Sequence, residues 1–409
     1  MKYDVIVIGA GPGGMFAALT AAQNKKTVAI IEKNQRVGRK LMITGKGRCN
    51  ITNACDCATM LKNIPTNSKF LYSAFSQFSS DDVIRFFSEN GVPTKIERGG
   101  RVFPVSDKAV DVVDALVNKL KSSNVKIITD TVTTILVDEQ KITGVCCLRC
   151  GDVSADSVVL ATGGKSYPLT GSTGDGYKFA QEVGHTVTNI VPSLVGIVTN
   201  DDMCHNLQGL SLKNIRLSCV DKVKNKEIFS DIGEMLFTHF GISGPLCLSL
   251  SAHLRPFEAA RYIAVLDMKP GLSHQQLDAR IIRDFEKFSN KDISNALGEL
   301  LPRKIIPTML MLAKIPPFEK VNQVSKEQRK NLCEAVKCIK IDIDGFSPIE
   351  EAIITSGGIN VKEINPKTME SKLVSGLYFA GEVIDVDGYT GGFNLQIAFS
   401  TGFVAGMNC

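Results

Sequence analysis

At 409 residues, the chain is longer than a single ordinary hydrophobic core requires, so we expect two or three domains. Hydrophobic residues make up 44% and charged residues 22%, a balance that excludes a disordered or fibrous protein. The net charge of +5 is a mild excess that permits an anionic substrate or an RNA partner without requiring either.

The apolar runs are short, as at Val5–Ile8 and Val28–Ile31, whereas a membrane span needs about 20 residues, so we expect no membrane partner. The first ten residues form a strand and a glycine turn, which excludes a cleaved signal peptide and favours a cytoplasmic location. The twelve cysteines are then expected as reduced thiols. The cysteines within 55–57 and 146–150 lack the paired CxxC spacing or nearby His of a zinc site, so we expect no metal.

Alternating and helical hydrophobic patterns predict an α/β chain. Strands are predicted over Tyr3–Ile8, Thr27–Glu32, Val125–Thr129, Val132–Val137, Gly144–Leu148, Ser157–Ala161, Leu194–Thr199 and Ile215–Val220, and helices over Met15–Gln23, Asp81–Asn90 and Ser106–Leu120. Residues 273–328 are rich in helix formers, and residues 351–409 return to the glycine-rich texture of the N-terminal part. The simplest architecture is one cofactor domain split by an insertion.

A glycine motif follows the first strand. Gly9, Gly11, Gly13 and Gly14, with Ala10 and Pro12 between them, match G-x-G-x-x-G directly before a helix. The first glycine permits a tight turn, the second lets the backbone approach a pyrophosphate, and the last lets the helix pack closely against the sheet. The N–H groups of the helix N-terminus then bind phosphate.

Glu32 strengthens this prediction because it ends the second strand, about 20 residues after the glycine turn, where a carboxylate binds the adenosine ribose. An acid at this point disfavours a 2′-phosphate, which leaves FAD or NAD. Two later segments favour FAD. Ser157–Gly164 and Gly376–Val383 resemble the second and third glycine motifs of FAD enzymes with two dinucleotide folds, and Glu382 and Asp385 share the acidic role of the third motif. Residues 391–396 open the last helix, whose N–H groups would face the N1–C2=O side of the isoalloxazine.

Five blocks carry a resemblance to a known family. They are Gly38–Asn53 (GRKLMITGKGRCNITN), Gly100–Pro104 (GRVFP), Ala161–Pro168 with Gly171–Gly176, Leu236–Pro245 (LFTHFGISGP) and the terminal GGFNLQIA. With these blocks the chain resembles the YhiN/BaiN flavoproteins, also called aminoacetone-oxidase-like, over its whole length.

The resemblance implies a two-dinucleotide-fold (glutathione-reductase-like) FAD domain that is split, with an inserted β-rich domain and a small helical subdomain. The expected bounds are 1–190 and 350–409 for the FAD domain, 191–272 and 331–349 for the β-rich domain, and 273–330 for the helical subdomain. Lys46 departs from the family pattern, in which we expect a small residue. The expected FAD-binding residues are Gly9, Gly11, Pro12, Gly13, Gly14, Glu32, Lys33, Arg39, Lys40, Thr44, Gly45, Arg48, Asn50, Val132 (through its backbone), Ala161, Thr162, Gly163, Gly381, Glu382, Asp385, Gly391, Gly392, Asn394, Leu395 and Gln396.

Candidates for proton transfer and substrate binding are fewer. Cys49 lies between Arg48 and Asn50, where a cation would lower its pKa and make it a proton donor, although a small residue packed beneath the ring is the plainer interpretation. His239 would bind substrate or serve a structural role. Arg98 and Arg101 would contact an anionic substrate or fix their loop.

Members of this family have been connected with aminoacetone oxidation, bile-acid ring reduction and dihydrouridine formation in ribosomal RNA. Reduction of a C=C bond by reduced flavin unifies most of this chemistry, and a uridine in rRNA is the favoured substrate. The basic residues that would suit phosphate contacts are Lys304, Lys314, Lys320, Lys326, Arg329 and Lys330, although a solvated helix face is the simpler explanation for them.

Several alternatives stay open. They are an amine or aminoketone oxidase that uses O₂, a reductase of a small unsaturated ring, and a flavin-binding assembly factor or redox sensor without turnover. No second G-x-G-x-x-G follows a strand in the sequence, so NADH or NADPH, if it is the transient reductant, would enter the same cleft as the substrate.

Overall fold

The computed structural model describes residues 2–409. Its strands, in chain order, are β1 (Lys2–Ile8), β2 (Val28–Glu32), β3 (Thr52–Asn53), β4 (Thr94–Glu97), β5 (Arg101–Pro104), β6 (Lys126–Thr129), β7 (Val132–Asp138), β8 (Lys141–Cys147), β9 (Gly151–Leu160), β10 (Val191–Ser193), β11 (Ile197–Val198), β12 (Ser211–Asp221), β13 (Lys226–Thr238), β14 (Gly241–Ser243), β15 (Tyr262–Asp267), β16 (Ile339–Asp342), β17 (Gly345–Phe346), β18 (Ile354–Ser356) and β19 (Leu377–Phe379).

The α-helices are α1 (Pro12–Gln23), α2 (Arg39–Ile43), α3 (Cys57–Lys62), α4 (Tyr72–Gln77), α5 (Ser80–Glu89), α6 (Ala109–Ser122), α7 (Asp175–Glu182), α8 (Asp202–Asn206), α9 (Pro245–Ser251), α10 (His274–Lys287), α11 (Ile293–Ala296), α12 (Ile306–Ala313), α13 (Lys326–Lys337) and α14 (Phe393–Asn408). Within the described residues, no helix combines the length and the apolar character that crossing a membrane requires.

The chain forms two compact units. The first runs up to Ser193 and resumes at Pro348–Cys409, and the second is Leu194–Ser347. Each unit has a hydrophobic core of its own.

The first unit is organised around a seven-stranded sheet in the order β6-β2-β1-β9-β8-β7, with β19 also beside β9. The strands β6, β2, β1, β9 and β19 are parallel neighbours, whereas β8 and β7 join as antiparallel hairpin strands. Strand β2 is buried throughout and β1 is buried over Val5–Ile8, because helices cover both faces of such a sheet. Their apolar runs made these strands predictable, and the α/β Rossmann-type fold is confirmed.

Helices α1 and α14 pack against each other through small residues. A Cβ atom at Gly402 would lie 2.3 Å from the carbonyl oxygen of Gly13, and one at Gly406 would lie 2.3 Å from that of Ala17. The two helices therefore approach to backbone contact, and α14 packs directly against Gly13 of the glycine turn.

The second unit contains a seven-stranded antiparallel sheet in the order β16-β15-β12-β13-β14-β11-β17, with helices α10 to α13 inserted between β15 and β16. The strand expected at Leu194–Thr199 shortens to Ile197–Val198. The helical segment does not end at residue 330, because α13 continues from Lys326 to Lys337 with Leu332 and Val336 buried.

Candidate functional site

The glycine turn between β1 and α1 has a different constraint at each glycine. Gly9 has a φ of +100°, which an L side chain rarely adopts, and a Cβ atom at Gly14 would lie 2.0 Å from the Gly9 carbonyl oxygen. At Gly11 a Cβ atom would meet nothing within 4 Å, so this position borders open space. The backbone is therefore tightly packed at Gly9 and Gly14, whereas Gly11 faces open space.

The N-terminus of α1 opens onto the same space. Gly11 is its N-cap, and no side chain of residues 2–409 hydrogen-bonds to the cap. The first-turn N–H groups and the positive end of the helix dipole are therefore available to an anion.

Glu32 is held firmly at the end of β2. Its side chain is buried, Oε2 accepts a hydrogen bond from Ala10 N at 2.8 Å, and Oε1 accepts from the N and Nδ2 of Asn34 at 2.9 and 2.7 Å. The carboxylate therefore ties the glycine turn to the end of the second strand.

Two other predicted segments converge on the glycine turn. The Gly9 position faces the Ala161 carbonyl at the end of β9, and Gly13 faces Gly381 N, which a Cβ atom would approach to 3.3 Å. Gly164 in turn lies against Glu382, whose Oε1 would be 2.7 Å from a Cβ atom there. Segments that are far apart in the sequence thus line one site.

Glu382 is the centre of a polar network. Its Oε2 pairs with Lys40 Nζ at 2.7 Å, and its Oε1 accepts from Thr355 N at 2.8 Å and from the Ser166 hydroxyl at 3.2 Å. Lys40 also donates to the Ser166 hydroxyl at 2.7 Å. Lys40 and Glu382 were both expected beside the cofactor, and they are brought together as an ion pair.

The N-terminus of α14 contacts β3, which follows the Arg-Lys loop. Asn53 Nδ2 donates to the Gly391 carbonyl at 3.0 Å, and a Cβ atom at Gly392 would lie 2.3 Å from the Thr52 carbonyl. Because Gly392 has a φ of +101° and touches backbone, a larger residue would separate the loop from the helix.

Several buried polar atoms have no hydrogen-bond partner among residues 2–409. They include Asn50 Oδ1 and Thr162 Oγ1, two of the expected cofactor contacts, and the hydroxyl of Tyr177. Buried polar groups are nearly always satisfied, so unpartnered ones indicate a missing ligand or water. Together with the open space over Gly11, they fit an elongated dinucleotide whose phosphates lie on the turn.

Arg48 is engaged by two carboxylates of the protein. Its Nε donates to Asp107 Oδ1 at 2.8 Å, its Nη2 pairs with Glu97, and its guanidinium lies 4.1 Å from the centre of the Phe103 ring. These hydrogen bonds raise the pKa of Arg48, Glu97 first and Asp107 second. The charge expected to neutralise a phosphate is therefore already compensated by two carboxylates.

The expectation of a lowered pKa for Cys49 is wrong. The thiol is fully buried, and burial raises its pKa to about 12 despite a hydrogen bond with Thr44. Arg48, the cation expected to act on it, is engaged with Glu97 and Asp107. Cys49 is consistent with the plainer interpretation of a small packed residue.

The side chain of Gln396 is engaged within the protein. It is fully buried, its Oε1 accepts from the Thr52 hydroxyl at 2.5 Å, and its Nε2 donates to Phe78 O and to the Ser400 hydroxyl. Its side chain thus fastens α14 internally. The neighbouring Asn394 bonds both backbone groups of Gly388, and Leu395 packs on the core.

The remaining predicted residues lie as follows. Lys33 pairs with Asp175 at 2.6 Å, Arg39 donates to Asn34 Oδ1 at 2.9 Å, and the Thr44 hydroxyl donates to Leu41 O. Asp385 accepts a hydrogen bond from Asn67 Nδ2 at 3.1 Å, and Val132 begins the edge strand β7. Gly45 and Gly163 have φ values of +57° and +76°. Lys46 is exposed with a φ of +59°.

The other catalytic candidates are exposed. Arg98 and Arg101 lie at the β4–β5 hairpin, where Arg101 Nε donates to Arg98 O at 3.0 Å. His239 belongs to the second unit, at the turn between β13 and β14, with its ring 5.1 Å from that of Phe240.

Sequence reasoning missed Ser166, Thr355, Asn53 and Tyr177. Ser166 lies within a quoted block, yet only the fold shows that its hydroxyl meets Lys40 and Glu382. Thr355 was not signalled by any motif, because its contacts with Lys165 N and Ser166 N join distant segments.

Residues 3–408 match the family described as HI0933-like protein Rossmann domain. The chain belongs to this family. It is 31% identical to a 3-dehydro-bile acid delta(4,6)-reductase from Clostridium scindens, covering 98% of this chain and 97% of that protein. It is 30% identical to a ribosomal RNA dihydrouridine synthase from Escherichia coli, covering 100% and 98% respectively.

Solved structures share the fold of this HI0933-like protein at low identity. A 3-ketosteroid delta1-dehydrogenase from Sterolibacterium denitrificans aligns with a TM-score of 0.54 at 13% identity, over 99% of this chain and 98% of that one. A flavocytochrome c3 fumarate reductase aligns with a TM-score of 0.53 at 16% identity, over 100% and 78%.

The resemblance identified from the sequence blocks is confirmed. The HI0933-like protein is an FAD-dependent oxidoreductase, and FAD is its cofactor.

Proposed function

We propose that this HI0933-like protein reduces a C=C bond with reduced FAD, and that its favoured substrate is a uridine in ribosomal RNA. The observation that carries the proposal is the nearly end-to-end match, at 30–31% identity, to relatives named for rRNA dihydrouridine synthesis and for bile-acid delta(4,6)-reduction. Dihydrouridine is uridine with one C=C bond saturated, so the two names describe the same kind of bond change on different rings.

The proposed cofactor contacts follow from the geometry of the first unit. The open N–H groups at Gly13 and Gly14 bind phosphate, and Glu32 fixes the ribose at the end of β2. When bound, FAD supplies a hydride from its reduced ring. The N-terminus of α14 beside Gly391 and Gly392 stabilises negative charge on that ring.

A substrate-binding role for the β4–β5 hairpin is supported by its attachment to the same region. β5 pairs with β3, and Asn53 of β3 donates to both Gly99 O and Gly391 O. Arg98 and Arg101 are therefore exposed cations held close to the N-terminus of α14. We propose that they bind the anionic part of the substrate.

Ion pairs within the second unit reduce the number of basic residues in its helical segment that are available to bind RNA phosphates. Lys320 pairs with Asp292 at 2.7 Å, and Arg329 pairs with Asp278 at 2.6 Å. Lys304 donates to the Gln208 carbonyl. The exposed candidates for phosphate contact are then Lys314, Lys326 and Lys330.

Mass spectrometry of rRNA tests the substrate. In a strain that lacks the gene, one uridine that is 2 Da heavier in the parent strain should return to the mass of unmodified uridine. Re-expression of the wild-type chain should restore the modification, and the R98A/R101A variant should restore it poorly. Unchanged rRNA modification in the deletion strain would rule out this substrate.

A second candidate is a reductase of a small unsaturated ring, which the Clostridium scindens relative favours. Purified protein reduced anaerobically with NADH or NADPH should reduce an unsaturated bile acid if this alternative is correct. Failure of both nucleotides to bleach the flavin would exclude an NAD(P)H-dependent reductase and favour an oxidase or a binding role. The free thiols of Cys55 and Cys57, both partly exposed, support our proposal that the reaction takes place in the reducing cytoplasm.

A further inference from the structure

A cysteine hairpin lies at the end of β8. Cys147 is the last residue of β8 and pairs with Gly151, the first residue of β9, so Leu148, Arg149 and Cys150 form the turn. Gly151 has a φ of +64°, which lets the chain reverse tightly after Cys150. The sequence C-x-x-C-G on such a turn directs two thiols toward one point, as in structural zinc sites.

Asp130, in the loop between β6 and β7, completes the cluster. One carboxylate oxygen of Asp130 and the sulfur atoms of Cys147 and Cys150 all lie within 4.8 Å of one another. Asp130 is 3% exposed and Cys147 is buried, whereas Cys150 is exposed, so the cluster is formed inside the fold and is open on one side.

The loop and the hairpin are fixed before any ligand arrives. Asp130 accepts hydrogen bonds from Thr131 N at 2.7 Å, Cys150 N at 3.0 Å and Arg149 N at 3.2 Å. Arg149 also donates to the Thr129 carbonyl at 2.6 Å. These contacts fix the Asp130 carboxylate against the backbone of the cysteine hairpin, so little of their conformational entropy is left to lose on binding.

We propose that Asp130, Cys147 and Cys150 bind one divalent zinc ion, with the exposed fourth position taken by water or by a ligand from solution. Binding exchanges the two thiol protons for the ion, so two Zn–S bonds and one Zn–O bond form and two protons leave to solvent. Two thiolates and one carboxylate suit zinc in ligand type.

The charges around the cluster support the proposal. The two thiolates and the carboxylate carry three negative charges, and the zinc ion together with the nearby Arg149 guanidinium, 3.5 Å from Asp130, balances them. The assembled site is therefore neutral, which lowers the cost of placing it beside the buried Asp130.

The site also bears on the cofactor-binding end of the sheet. Asp130 N donates to the carbonyl oxygen of Glu32 at 3.0 Å. The metal site would therefore brace the end of β2, where Glu32 holds the glycine turn. The sequence alone favoured no metal, because the cysteines lack the paired CxxC spacing and the nearby His of a zinc site, and Asp130 lies on a separate loop.

Zinc stoichiometry and sulfur coordination of the intact FAD-bound protein test the proposal. Protein kept reduced is titrated with Zn²⁺ alone against a chromophoric chelator, and the bound zinc is then characterised by zinc K-edge X-ray absorption. We expect one zinc per chain with two sulfur neighbours at about 2.3 Å. C150S, at an exposed position that tolerates the change, should lose this zinc, and D130N should weaken it at least tenfold.

Cys146→Ser is the matched control. Cys146 is adjacent to Cys147 on β8, and successive strand residues point to opposite faces, so C146S should keep one zinc. Equal zinc uptake by wild type and C150S would overturn the proposal, as would a zinc shell without sulfur. An intact mass 2 Da low that maps to a Cys147–Cys150 disulfide in the reduced preparation would also overturn it.

Discussion

Gly11→Ala separates cofactor binding from folding. Gly11 has φ −81° and ψ 179°, which alanine adopts without strain, and its Cβ atom would meet nothing within 4 Å of the protein. The added methyl group would occupy only the open space above the turn. We therefore expect a protein that folds normally and binds FAD poorly.

The expected change in folding stability is small, because two effects of the substitution oppose each other. Replacing glycine by alanine at a compatible position stabilises the folded state by about 0.4–1 kcal/mol. Alanine is, however, a poorer N-cap than glycine, which offsets a similar amount. Stability of the FAD-free protein should change by less than about 1 kcal/mol. A methyl group forced into a packed phosphate contact costs about 1–3 kcal/mol, which weakens FAD binding about 5- to 150-fold.

The assay is a titration of FAD-free protein with FAD, followed by flavin fluorescence, beside denaturant unfolding of the same sample. Gly271→Ala is the matched control, because Gly271 also meets nothing within 4 Å but lies in the second unit. It should leave both measurements unchanged. Wild-type FAD affinity in G11A would refute the assignment of this space to the phosphates.

Three further changes test individual ion pairs and hydrogen bonds in the two units. Lys40→Met removes the cation that pairs with the Glu382 carboxylate, which is only 21% exposed, so the free energy of unfolding should fall by about 1–3 kcal/mol. The double variant K40M/E382Q should lose less unfolding free energy than the two single variants together, and strict additivity would contradict the pairing. Glu32→Ala removes the acceptor of buried N–H groups, so the free energy of unfolding measured with denaturant should fall by about 1–3 kcal/mol. A fall below about 0.5 kcal/mol, roughly that of a surface substitution, would argue against a structural role for this carboxylate. Hydrogen bonds from Arg261 lower the pKa of Asp221 from 3.8 to about 2, so they stabilise the folded protein fully above pH 3.8 and this stabilisation is lost as the pH falls toward 2. The melting temperature of D221N should therefore fall less steeply with acid than that of the wild type. Parallel curves of melting temperature against pH would refute this.

The sequence predicted the parts of the site that depend on local backbone chemistry. The glycine turn, α1 and the acid at the end of β2 are contiguous, so spacing alone placed Gly9, Gly11, Gly14 and Glu32. Side-chain partners were less predictable because they come from distant segments. The sequence could not show that Arg48 pairs with Glu97 and Asp107. It offered Cys49 both as a proton donor and as a small packed residue, and the burial that raises its thiol pKa fits the packed residue.

The same distinction explains why a short apolar pattern such as Leu194–Thr199 yields only a two-residue strand. Leu194 and Val195 are buried without joining the ladder, and Val195 N instead hydrogen-bonds the Ser251 hydroxyl at 3.0 Å. Hydrophobicity predicted the burial of this segment correctly, but pairing depends on which partner satisfies each backbone group.

The contact between α1 and α14 brings two ends of the chain together at the place where we propose that FAD binds. Gly13 belongs to the glycine turn, and its carbonyl oxygen lies against Gly402 in the middle of α14. The N-terminus of the same helix meets β3 through Gly392, whereas its middle meets the glycine turn. The distance between the proposed phosphate contacts and the proposed isoalloxazine contacts is therefore set by one helix, with a rise of about 1.5 Å per residue. Glycine at both contacts fixes that spacing, because any side chain there would push one end of the site away from the other.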